Sequence, residues 1–191
     1  MTSLKTRRHF PASDSALSYN RIRTTKTVLH MFMLGNLLSP SGALGATENM
    51  IEKTIPVPVI SARELLVMLD AKESVILFDT RTEEEYEKSH IEEAVHVEPN
   101  TPTEAFIERY ADTIRNTKLV FYCSVGQRSS EFLNRVQQKC LDAGAIACYN
   151  LRGGIFRWYN EGHPVVDSRG ATDDIHGYNP LWGMMVEKRR K

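Results

Sequence analysis

KLVFYCSVGQRSSEFLNRVQQKCLDAG (residues 118–144) reads as three pieces. KLVFYC (118–123) is a continuous apolar run, the pattern of a strand buried on both faces of a sheet. SEFLNRVQQKCLDAG (130–144) places Phe132, Leu133, Val136, Cys140 and Leu141 on an inward helical stripe, with Gly144 closing it. Between them lies a small polar turn carrying Gly126, Arg128, Ser129 and Ser130. A strand feeding a helix through a short turn is the repeating unit of α/β folds, and their working groups gather where strands end and helices begin. Cys123 stands at such a point.

The flanking sequence repeats the pattern. VPVI (57–60) predicts a short strand ending at Ser61, a good helix cap, before ARELLVMLD (62–70) with Leu65, Leu66 and Leu69 at helical spacing. SVILFD (74–79) is a second buried strand, and AVHV (94–97) a shorter one toward an edge. TEAFIERYADTI (103–114) puts Phe106, Tyr110 and Ile114 on one stripe, with Thr103 as cap. AIACYN (145–150) predicts a further strand and IFRWYNEG (155–162) a short final helix. This alternation predicts a parallel sheet covered by helices on both faces.

Composition narrows the function. The 191 residues suit one domain plus tails, and 24 basic against 24 acidic side chains advertise no nucleic-acid surface. Three cysteines (Cys123, Cys140, Cys148) are too few and too odd in number for a disulfide scaffold, and they lack C-x-x-C spacing. With no ligand spacing among the six histidines, neither a metal nor a cofactor is expected. Cys140 and Cys148 read as core residues; a disulfide between them would be compatible with export, but nothing in the spacing requires one.

The amino-terminal stretch differs from the rest. Asp14 is the only acidic residue through Thr47, against six lysines and arginines. VLHMFMLGNLL (28–38) then leads into SPSGALGA (39–46). A basic front, a short apolar middle and a small-residue end describe an export signal over residues 1–46, cut after Gly45 or Ala46, with 47–54 as a linker. The mature chain is then expected to be periplasmic, with no stable membrane association. A mitochondrial transit peptide is the alternative. Beyond Asp167 the tail 167–191 reads as a polar appendage. Tyr178, Trp182 and Arg189 could form a partner patch there, but packing of Trp182 back onto the domain is the simpler reading.

The loop after Cys123 has a chemical logic. A helix amino terminus carries about half a positive charge and unpartnered amides. Gly126 permits a turn that points the amides of Ser124, Val125, Gly126 and Gln127 inward as an anion-binding nest. Arg128 adds a planar cation, and Ser129 with Ser130 suit a cap. A thiol held there is expected to ionise easily and to face an anionic substrate.

These residues carry a resemblance to the rhodanese superfamily. CSVGQRS (123–129) is similar to its active-site loop and DTRTEEEY (79–86) to its D-x-R-x-x-x-E-[YF] motif. SHIEEAVHV (89–97) resembles its G/S-H-I-x-G-A segment, and NLRGGIFRW (150–158) its closing L-x-G-G-x-x-x-W motif. The resemblance covers residues 55–166, one complete module, with Glu93 standing where glycine is usual. It implies a three-layer α/β/α fold with a five-stranded parallel sheet. It also implies sulfane-sulfur transfer from a small-molecule donor to a thiol, cyanide or sulfur-accepting protein through a Cys123 persulfide. The loop amides would hold the persulfide and Arg128 the donor's sulfonate. Asp79 and Arg81 read as structural, with Arg81 expected to pair with Glu85.

Other functions stay in view. Phosphatases of this fold need C-x-x-x-x-x-R, whereas Arg128 comes one position early and Tyr122 replaces their usual histidine. Binding-only modules typically lack the cysteine. A persulfide carrier is indistinguishable from an enzyme at this level. The loop departs from the C-G-[ST]-G-[VT] form of mercaptopyruvate-using relatives, which leans the donor toward thiosulfate.

Overall fold

Leu119 and Phe121 belong to one buried apolar cluster, and Val120 and Tyr122, between and beyond them, to another. That is the consequence of a period-two strand with no solvent-facing side. In the computed structural model, which describes residues 39–189, these residues form β4 (Lys118–Tyr122) of a five-stranded sheet. The strand order is β1 (Val59–Ile60), β5 (Ala147–Leu151), β4, β2 (Val75–Asp79) and β3 (Val95–His96). All four pairings are parallel, and β2 runs beside β4 from Val75↔Lys118 to Asp79↔Tyr122. The expected short strand, β3, is indeed at an edge.

Helices cover both faces. On one side Ala62 and Leu65 of α2 (Ala62–Asp70) join Leu44 and Ile51 of α1 (Pro40–Thr54) and Ile155, Phe156 and Trp158 of α6 (Gly154–Asn160). On the other, Phe106 and Ile114 of α4 (Thr103–Ile114) meet Phe132, Leu133 and Val136 of α5 (Gln127–Asp142). Phe78 stacks on Phe121 and meets Phe106 edge-on, both at 5.1 Å between centroids. Rings in such offset and edge-on contacts add to the area they bury.

Capping decides where helices start. Ser61 caps α2 as expected, in a reciprocal box with Glu64. Thr82 and Glu85 form a second box on α3 (Glu83–Lys88), a helix the periodicity did not reveal. Thr103 was expected to cap α4; the cap is Pro102, whose fixed φ of −59° sets up the first turn without a side-chain bond. The expected serine caps of α5 are also replaced. The helix begins three residues early, at Gln127, because Gly126 adopts φ 100° and turns the chain straight into it. Leu141, expected to face inward, is 36% exposed because Val136 and Cys140 fill the inner stripe.

Both proposed boundaries of the domain move. Residues 47–54, read as a linker, are the second half of α1, which starts from a Ser39 cap and Pro40. Leu44 and Ile51 are buried, and Glu48 accepts from Arg157 Nε at 2.7 Å and lies 3.3 Å from Arg152 Nε. The basic front and apolar run of the leader lie outside the described residues. At the other end, the boundary near residue 166 falls inside a hairpin of β6 (Val165–Asp167) and β7 (Gly170–Thr172). Val166 exchanges two 2.9 Å backbone bonds with His90. The following segment, with α7 (Pro180–Gly183), returns to the domain. Asn160 donates to Met185 O at 2.8 Å, and Arg189 donates to Tyr159 O and His163 O at 2.7 and 2.6 Å.

Candidate active site

Cys123 follows the last residue of β4 and is 1% exposed. Its Sγ accepts from Gly126 N at 3.2 Å, so one amide of the loop is turned back onto the sulfur. Two glycines make this path available. Gly126 has the positive φ that an L side chain resists. Gly154 lets α6 approach so closely that a Cβ there would collide with the carbonyl oxygens of Cys123 and Ser124. Those oxygens accept from Ile155 N and Phe156 N, at 2.9 and 3.0 Å. The loop floor is therefore the first turn of α6.

The rest of the loop divides by task. Val125 is buried in the core, and Ser129 donates to buried Asn150 Oδ1 at 2.6 Å. Ser124, Gln127 and Arg128 line a cavity of about 310 Å³ over Cys123. Tyr178 and Trp182 complete its lining. These two rings come from the tail, and no spacing rule joined them to the cysteine.

Glu85 and Arg128 form the polar wall behind the loop. Arg128 Nη1 and Nη2 each donate at 2.7 Å, to Glu85 Oε2 and Oε1. Ser124 Oγ donates to Glu85 Oε1 at 2.8 Å and accepts from Arg128 Nη2 at 3.0 Å. Burial alone would raise the Glu85 carboxyl; the hydrogen bonds and charge of Arg128, with Ser124 and Thr82, bring it down to about 2. Burial likewise disfavours the Arg128 charge, but Glu85 and the neighbouring Cys123 more than offset it and hold the guanidinium firmly protonated.

The expected Arg81–Glu85 pair does not form. Arg81 instead grips Asp79, with Nε at 2.9 Å from Oδ1 and Nη2 at 2.6 Å from Oδ2, and reaches Ser89 O. Both side chains are fully buried. Asp79 lies only two residues away, at the end of β2, which leaves Glu85 to its partner from α5. Neither Asp79 nor Arg81 lines the cavity at Cys123. Thr80 between them donates from N and Oγ1 to Tyr122 O, at 2.8 and 3.0 Å, fixing the residue that precedes the cysteine.

The model of the rhodanese-like domain matches residues 61–161, more than half of the chain. The chain belongs to the rhodanese-like domain family. A sulfurtransferase of Allochromatium vinosum is 30% identical over 111 residues, spanning 58% of this chain and 96% of that protein. The putative sulfurtransferase YtwF of Bacillus subtilis is 29% identical over 105 residues, 55% of this chain and 93% of its own length. In fold, the BH2092 protein of Bacillus halodurans superposes with a TM-score of 0.50 at 20% identity, over 66% of this chain and 87% of that one. The rhodanese-like relatives thus support sulfurtransferase chemistry at the level of the family. Tyr178 and Trp182 lie beyond the matched residues.

Proposed function

We propose that this rhodanese-like chain transfers sulfane sulfur through a persulfide on Cys123. The observation that carries the reading is the cysteine sulfur beneath the Gly126 amide, at the floor of a cavity open to a small molecule. The Cys123 thiolate attacks the outer sulfur of thiosulfate or a related donor. An Sγ–S bond forms, the donor's S–S bond breaks, and sulfite leaves with the electron pair. A thiol or cyanide then attacks the outer sulfur of the persulfide, and the Cys123 thiolate departs. A loop amide that donates to sulfur also suits the anionic persulfide.

A sulfur-accepting protein is the alternative second substrate and would make the chain a persulfide carrier. Phosphatase chemistry is the weaker reading, because Arg128 comes one position earlier than a C-x-x-x-x-x-R loop requires and Ser129 occupies the arginine position. The basic front and apolar run that precede Ser39 support export, with a periplasmic site of action.

The decisive experiment is intact-protein mass before and after thiosulfate, then after cyanide. One sulfur atom should be gained, map to the Cys123 peptide, and be lost with release of thiocyanate. Turnover with no such adduct would overturn the reading.

A further inference from the structure

Tyr178 and Trp182 are two of the six residues, Cys123 among them, that line the cavity, and both are contributed by the segment after the hairpin. Tyr178 has φ 61°, a left-handed conformation that a bulky aromatic residue rarely adopts. That backbone turn sets its ring against Arg128, with Cζ 4.7 Å from the centroid. Trp182 meets the same ring edge-on at 5.8 Å. The walls are fastened on both sides. Lys88 pairs with Asp174 at 2.8 Å, and Tyr159 donates to Asp173 O at 2.9 Å. Past the rings, Asn160 holds both Met185 O and Glu187 N.

The cavity these rings enclose exceeds what a bare inorganic donor fills. Its volume of about 310 Å³ would hold roughly ten waters at about 30 Å³ each. That volume lies at the lower end of sites for small organic molecules, about 300–1,000 Å³. Its polar side is also less cationic than Arg128 alone suggests, since both terminal nitrogens of that residue are bonded to Glu85. One face of the guanidinium is covered by Tyr178.

Resting on the sulfur-transfer reading, we propose that Tyr178 and Trp182 form a subsite for the organic group of a sulfur donor, an aromatic or apolar residue carried by a thiosulfonate. The Cys123 thiolate attacks the terminal sulfur of R–SO2–S⁻, and an Sγ–S bond forms. The bond between that sulfur and the sulfonyl sulfur breaks, and the sulfinate R–SO2⁻ leaves with the electron pair. The persulfide is the same as with thiosulfate. The rings add contact with R, which inorganic thiosulfate lacks.

The test compares benzenethiosulfonate with methanethiosulfonate in the full chain, with cyanide as common acceptor and thiocyanate as readout. The ratio of their kcat/KM values should fall about tenfold in Tyr178→Ala and in Trp182→Ala, the loss expected when an aromatic contact is removed. Tyr178→Phe should keep most of the ratio. An unchanged ratio, or an equal fall for both donors, would overturn the subsite. A second arm is independent of turnover. Benzenesulfinate should quench tryptophan fluorescence saturably in Cys123→Ser, and the quenching should vanish in Trp182→Phe and weaken in Tyr178→Ala. Absence of that quenching overturns the subsite even if sulfur is transferred. Quenching without sulfur transfer from any donor would instead overturn the sulfurtransferase reading and leave the subsite standing.

Discussion

Arg128 lies across Glu85 with each terminal nitrogen 2.7 Å from a different carboxylate oxygen. The loop that carries Cys123 is thereby tied to the cap of α3, since Glu85 also accepts from Thr82 N and Thr82 Oγ1. The arginine has two duties: it braces the loop, and it stands beside the sulfur.

This pair makes stability depend on pH. The Glu85 carboxyl falls from an ordinary 4.5 to about 2 in the folded chain. A depressed carboxyl contributes stability that is present above the unfolded value and lost as pH falls through the folded one. Stability should therefore decline between about pH 4.5 and 2, by roughly 3 kcal/mol from this group. Urea unfolding at several pH values checks it, and Glu85→Gln should flatten that part of the profile. An identical acid profile in the variant would contradict the assignment.

Replacing Arg128 should be felt in two measurements. Arg128→Ala is expected to lower kcat/KM for thiosulfate by about 1–3 kcal/mol in activation free energy, the range for a charged hydrogen bond. It should also destabilise the fold, because Glu85 is left buried without its cation. Arg128→Lys should recover only part of either, having lost the planar fork. Unaltered thiosulfate kinetics with reduced stability would leave the arginine as a brace alone.

Among the three cysteines the persulfide should form on one. Cys140 and Cys148 belong to the cluster on the opposite side of the sheet from Val125 and Tyr122. Cys123→Ser should abolish the thiosulfate-dependent mass gain, while Cys140→Ala and Cys148→Ala should retain it. Residual gain in Cys123→Ser would assign the chemistry elsewhere.

Gly154→Ala tests the loop floor. The added methyl would meet backbone oxygens, which have nowhere flexible to go. A loss of roughly 3 kcal/mol or more is expected, the size of a strained or overpacked backbone site. Denaturant midpoints measure it. A variant as stable as the wild type would show that α6 does not press on the loop.

The export proposal can be checked at the amino terminus. A start at Ala46 or Thr47 would remove the first half of α1 and with it Leu44, which is fully buried. Losing a buried leucine typically costs about 2–5 kcal/mol. Amino-terminal sequencing of protein from the native host distinguishes that start from one at or before Ser39, which would keep the helix. An intact Met1 on cytosolic protein would overturn export.

The centre of the fold was legible because its strands are continuous apolar runs and its helices carry a clean inward stripe. What escaped had a weaker or non-local signal. Ser39-Pro40 is a helix start, yet the small residues after it also suit the end of a leader, and α1 buries only Leu44, Glu48 and Ile51. Cys123, Ser124, Gln127 and Arg128 line one cavity, as chain neighbours on one loop stay together. Glu85 was found, but its partner was misread, because the arginine that reaches it lies 43 residues along the chain. Tyr178 and Trp182 read as tail because only the three-dimensional return of the chain brings them to the cysteine.

The seven residues of α6 serve two masters. Its first turn holds the carbonyl oxygens of Cys123 and Ser124, and its last residues hold Met185, Glu187 and Arg189. One short helix thus joins the cradle of the sulfur to residues 185–189. Releasing Met185 and Glu187 from Asn160 is therefore expected to be felt, through the helix they share, in the loop around Cys123.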